Sequence, residues 1–158
     1  MVKTILLILL LSTLSGCMSN RIVIVNNNCG IELYLSINKF RPTDSLTLLV
    51  KNNNNFQVGV GNFSCLANTH ITLADSFDNR VAQQVKIKVD FSCREEFFQI
   101  GPGETKRFTY DFTIAELYNV IPNSRYKINL TYDGFVKINN RKNRCSNIVF
   151  KDWITFVE

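Results

Sequence analysis

Short runs of alternating apolar and polar residues, each closed by a turn signal after about ten residues, restrict this chain to an antiparallel β architecture. Period-two alternation suits a strand with one face on a core and the other in water. The pattern is read at Ile31–Ile37, at Leu46, Leu48 and Val50, at Phe56–Val60 and at Thr69–Leu73. It continues at Val85–Phe91, Phe97–Ile100, Arg107–Phe112, Arg125–Tyr132 and Ile148–Val157. Ile22-Val23-Ile24-Val25 offers a first edge strand. Turns are expected at Lys39–Asp44, at Asn52–Asn55, at Gly101-Pro102-Gly103 and at Asp133-Gly134. Gly59 and Gly61 are expected to weaken or bulge their strand. One segment breaks the period: Ile114, Leu117 and Tyr118 recur at helical spacing, and Thr113 with Glu116 forms a capping box. The sum is an all-β sandwich with one short helical segment and no internal repeat.

The five cysteines sharpen this reading. Cys29, Cys65, Cys93 and Cys145 form an even set, which in an exported domain reads as two disulfides. The metal-binding alternative wants CxxC pairs or neighbouring histidines, and the spacing provides neither. No cofactor is expected. The formal net charge of +5 falls by one if Lys3 is removed with a signal segment. That mildly basic balance argues against a dedicated nucleic-acid binder.

The fifth cysteine, Cys17, belongs to a different signal. Lys3 is a small basic n-region, and Ile5–Leu11 is an unbroken apolar run. The run falls short of the about 20 residues a spanning helix needs and has the length of a signal-peptide h-region. Leu14-Ser15-Gly16-Cys17 then resembles the lipobox of bacterial lipoproteins: an apolar residue, two small ones that enter a peptidase cleft, and a thiol that takes a diacylglycerol. The resemblance implies residues 1–16 as a cleaved signal peptide, 17–28 as a lipidated tether and 29–158 as a single sandwich domain. It implies lipid anchoring at Cys17 in a bacterial cell envelope. Met18, in place of an aspartate after the cysteine, points to the outer membrane. Two acyl chains hold a protein on a membrane where one is marginal.

From Leu33 to Tyr132 a second resemblance is carried by Phe40-Arg41-Pro42-Thr43-Asp44-Ser45-Leu46-Thr47-Leu48, Val50-Lys51-Asn52-Asn53, Ile100-Gly101-Pro102-Gly103-Glu104, Tyr110-Asp111-Phe112, Tyr118 and Arg125-Tyr126-Lys127-Ile128. These resemble the immunoglobulin-like pro-region of deuterolysin-type metalloproteases and the small intracellular proteinase inhibitors of bacilli. The resemblance implies an immunoglobulin-like antiparallel β-sandwich and an inhibitor-like role. It departs from the pro-region in that no protease domain follows and four cysteines are added. Four cysteines allow three pairings. In immunoglobulin-like sandwiches the first and last strands often run parallel as neighbours. That layout implies Cys29–Cys145, and Cys65–Cys93 by elimination.

Signals for catalysis are few. His70 is the single histidine and reads as an ordinary strand residue. Glu95 and Glu96 are adjacent, so in a strand they point to opposite faces and in a loop they are solvated. No nucleophile elbow, zinc helix or phosphate-binding loop is present. Asn62-Phe63-Ser64 and Asn129-Leu130-Thr131 match the glycosylation sequon, a chance match in a bacterium. Lys137, Arg141, Lys142 and Arg144 fall in an expected loop. They suit lipid headgroups, lipopolysaccharide or an acidic protein partner, although the simpler reading is a solvated hairpin loop. Phe97-Phe98 reads as an exposed partner-binding pair or as core packing.

The functional expectation is therefore a membrane-anchored protein-binding module with no enzymatic activity, an inhibitor or immunity protein facing an envelope or exported protein. The alternative is an accessory structural lipoprotein of an envelope or secretion assembly.

Overall fold

A computed structural model describes residues 29–139 and 141–158. The lipobox, Cys17 and the Ile22–Val25 strand lie outside the described residues. The strands are β1 (Ile31–Leu35), β2 (Lys39–Phe40), β3 (Ser45–Asn52), β4 (Val58–Gly61), β5 (Thr69–Ala74), β6 (Phe97–Ile100), β7 (Thr105–Thr113), β8 (Arg125–Ile138) and β9 (Arg141–Phe156). One helical turn, α1 (Ile114–Leu117), follows β7. It is closed by the expected capping box, in which the Thr113 hydroxyl accepts from the Glu116 N–H and the Glu116 carboxylate accepts from the Thr113 N–H.

Two sheets face each other. The first runs β1-β3-β7, and the second runs β2-β9-β8-β4-β6 with β5 also paired to β8. Pairing is antiparallel except for β2, which lies parallel to the end of β9. The result is an all-β, disulfide-stapled sandwich compatible with the immunoglobulin-like layout. Alternation is the reason: Ile31, Leu33 and Leu35 of β1 and Leu46, Leu48 and Val50 of β3 point inward. They meet Ile128, Leu130 and Tyr132 of β8 and Ile148, Phe150 and Ile154 of β9 in one continuous core.

β4 and β5 lie along the same edge of β8, opposite its second and first halves. Between them residues 62–68 leave the sheet, and Phe63 tucks into the core with its ring stacked 3.9 Å from that of Tyr132. Tyrosine hydroxyls bind the layers together. Tyr110 donates to the Phe63 carbonyl at 2.8 Å, and Tyr118 donates to the Ile71 carbonyl at 2.7 Å. The Tyr126 hydroxyl accepts from the Ile121 N–H, tying the corner that leads into β8.

Four expectations are corrected. Val85–Phe91 alternates but forms no strand. Asp133-Gly134 is no turn; it is a bulge inside the 14-residue β8. The cationic stretch from Lys137 onward is not a loop either, because β8 and β9 stay paired out to Ile138 opposite Arg141. Finally, β1 is not the neighbour of β9; β2 takes that place. The cysteines are nonetheless joined as Cys29–Cys145 and Cys65–Cys93. The physical reason differs from the expected one. Cys29 leads into the first sheet and Cys145 sits within β9 of the second, so this bond staples the two layers.

The asparagine run at Asn52–Asn55 is a built turn. Asn52 is fully buried, and its Nδ2 donates to the carbonyls of Phe56, Ile100 and Gly101. Its Oδ1 accepts from both the backbone and the side chain of Asn54.

Candidate functional site

The far end of the β8–β9 hairpin gathers the residues that the sequence singled out for partner contact. Lys137 and Lys142 sit directly opposite each other across the ladder, as do Ile138 and Arg141. Like charges facing each other destabilise a hairpin, so the arrangement needs compensation. Aromatic rings and one carboxylate provide it. The Lys137 ammonium lies 3.9 Å from the centre of the Phe97 ring. The Lys142 ammonium lies 4.3 Å from that of Phe135 and 5.7 Å from that of Phe97. Lys142 also donates to Glu95, with a closest Nζ–O distance of 2.9 Å. Such cation–ring contacts contribute about 0.5–1 kcal/mol each where exposed.

The fold assembles this cluster across β4, whose Val58 and Val60 are buried in the core while Gly59 faces the cluster. β4 lies between β6 and β8, with Gly59 opposite both Gln99 and Lys137, and Gly61 opposite Phe97. A Cβ on Gly59 would meet Gln99 at 3.2 Å and Lys137 at 3.3 Å. Gly59 therefore floors the site, whereas a Cβ on Gly61 would meet the Tyr132 hydroxyl at 2.6 Å, and neither glycine bulges the strand. A recess of about 500 Å³ beside the cluster is lined by Phe56, Gln57, Gln99, Lys137 and Asn139.

Electrostatics follow the geometry. The hydrogen bond from Lys142, then its charge, holds the Glu95 carboxyl below the usual carboxylate range, and Arg94 and Lys137 add to the effect. Arg141 is exposed at the tip. Arg144 stands opposite Phe135 in the ladder; its side chain lies outside the described residues. Phe97 and Phe98 divide their roles. Phe97 carries the lysines, whereas Phe98 packs edge-on against core Phe108 with Lys106 4.8 Å from its ring.

The remaining residues of interest lie elsewhere. His70 is exposed on β5. Glu96 accepts from the Asn62 side chain at 2.7 Å and does not join Glu95 as an acid–base pair. Asn129 of the second sequon sits in β8, between β5 and β9. Among the described residues no group of three or more His, Cys, Asp or Glu side chains is placed to hold a metal ion, and no helix is long and apolar enough to cross a membrane. Two disulfides point to an oxidising, extracytoplasmic compartment. Sequence reasoning missed Phe135 and Gly59 as parts of the cluster. The β8–β9 register brings Phe135 beside Lys142, and the β4–β8 register brings Gly59 beside Lys137.

No protein-family model matches this chain, and no curated protein matches it.

Proposed function

We propose that this protein is an envelope lipoprotein that acts by binding another protein, not by turnover, and that the lysine–phenylalanine cluster on the β8–β9 hairpin is its contact surface. The observation that carries the reading is the placement of Lys137 and Lys142 on the rings of Phe97 and Phe135. The rings hold two long, mobile cations in fixed positions, which lowers the entropy that binding must remove. Aromatic and cationic groups together are what binding hot spots are made of. An acidic face on an envelope or exported protein complements them.

In this reading Cys17 carries the lipid and the tether after it presents the sandwich at the membrane, on the outer membrane given Met18. The resemblance to proteinase inhibitors and protease pro-regions supports an inhibitory or immunity role.

The test uses the lipidated protein as bait in detergent-solubilised envelopes, compared with the Arg141→Glu/Lys142→Glu variant. A specific partner retained by the parent, and retained at least about tenfold less by the variant at equal thermal stability, supports the proposal. Equal retention by both proteins refutes the hairpin as the contact surface. A purified hydrolytic or transfer activity that His70→Ala abolishes refutes action by binding.

A further inference from the structure

One segment with a strand's sequence has no strand partner. Val85, Ile87, Val89 and Phe91 alternate with Lys86, Lys88 and Asp90, yet residues 85–89 make no backbone hydrogen bond among the described residues. Both ends of the segment are nevertheless fixed. At one end Gln83 bridges to Tyr118 and the Gln84 N–H donates to the Leu117 carbonyl. At the other, Cys93 is bonded to Cys65. The segment is thus anchored at both ends.

The segment runs beside β7, the last strand of the three-stranded sheet. β7 pairs with β3 along one edge and has no ladder partner along the other among the described residues. Between them lie two open clefts. One, of about 400 Å³, has Ile87–Asp90 on one side and Thr109 and Asp111 on the other. The second, of about 470 Å³, continues the gap between Val85 and Ile87 on one side and Asp111 and Phe112 on the other. Unpaired strand edges are templates for further pairing, and natural proteins usually cover or blunt them. Here the covering segment touches the core through Ile87 but forms no ladder with β7, and Val85 is 53% exposed and Phe91 is 66% exposed.

The charge in the gap has a sign. Asp90, Glu96, Asp111 and Glu116 line the two clefts against the single Lys88. This gap is separate from the hairpin cluster, and a role for it does not depend on that surface.

We infer that the gap between β7 and residues 85–91 is a strand-acceptor site that takes an extended, lysine- or arginine-bearing segment of a partner protein. The incoming backbone completes the ladder on β7, the mode known as β-augmentation, in which main-chain bonds give affinity and alternate side-chain pockets give selectivity. One row of its side chains meets the apolar Ile87 and Val89, and the other meets the carboxylates. The disulfide at Cys93 and the anchor at Gln84 fix both ends of the segment, so less of it has to be ordered in the binding step.

The probe is a synthetic nine-residue peptide alternating valine and lysine, titrated into the full-length chain in detergent while residue-resolved amide exchange is followed by NMR. In the free protein, alternate amides of Thr105–Thr113 should exchange fast. With the peptide they should become protected, and intermolecular contacts should appear along β7. Asp111→Lys, at an exposed position, should weaken binding by about tenfold or more and reduce its salt dependence without altering the fold. The same peptide N-methylated at alternate residues should not bind. The inference is overturned if the outer β7 amides are already protected, if the peptide does not bind, or if it binds without protecting them. It is also overturned if the N-methylated peptide binds equally well, or if a second copy of the chain occupies this edge in solution.

Discussion

Asn52 gives the sharpest test of how the sandwich is held together. Its carboxamide is fully buried where β3 ends, and it bonds three carbonyls from two other chain segments. Asn52→Asp keeps the shape and removes the donor. An oxygen then faces the carbonyl oxygens of Phe56, Ile100 and Gly101 at separations near the present 2.8–3.1 Å. Each lost bond costs roughly 1 kcal/mol net, and a buried acceptor left unpaired costs about 1–3 kcal/mol. The two Oδ1 contacts to Asn54 survive, so the total is about 4–6 kcal/mol at neutral pH. That is a large part of the about 5–15 kcal/mol that a domain of this size holds in all. The sign with pH is fixed by the same geometry. A carboxylate among carbonyl oxygens has its folded pKa raised above its unfolded value of about 4. The variant's deficit is therefore smallest below that unfolded value, where the protonated group donates again, and grows as pH rises through the folded one. Urea unfolding of parent and variant at pH 7 and pH 3 measures both quantities. A deficit under about 1 kcal/mol at pH 7, or one that widens on acidification, would refute the account of this turn.

The remaining predictions concern the disulfides, acid stability and the anchor. Removing Cys29–Cys145, with a sequence separation of 116, should cost more than removing Cys65–Cys93, with a separation of 28. Loop-closure entropy assigns about 5 and about 3.5 kcal/mol respectively, and thermal melts of the two double Cys→Ala variants should rank in that order. Glu32, held low by Tyr34 and Asn53, joins Asp75, held low by Asn79, Asp90, held low by the Ser92 N–H, and Glu95, held low by Lys142. All four carboxyls are depressed, so what they contribute is present above the ordinary carboxylate range and lost as pH falls through their folded pKa values. The melting temperature should fall on acidification below about pH 4, and a rise would contradict the assignment. Intact mass spectrometry of the envelope protein should show an acylated Cys17, and Cys17→Ser should abolish processing there; an unmodified thiol at Cys17 would rule out the anchor.

Local chemistry made much of this protein legible in its sequence. Alternation at β1, β3, β5, β6, β7 and the first half of β8 depends on neighbours two residues apart, and so does the choice of a buried face. The Thr113–Glu116 capping box is equally local, and it stands where it was read. Register and pairing are not local. Val85–Phe91 has the same alternation as its neighbours, but a strand exists only where a second backbone bonds it, and β7 stands across an open gap. Asp133-Gly134 has the residues of a turn. Yet β9 continues to pair past it, so the chain absorbs the pair as a bulge and carries Lys137 and Lys142 out onto a paired hairpin. The contact cluster needed that same long-range register, because Phe97, Gly59 and Lys137 come from three strands that meet only in the folded sheet. Side-chain periodicity is encoded within a strand, whereas the partner of each strand is decided by the packing of the whole sandwich.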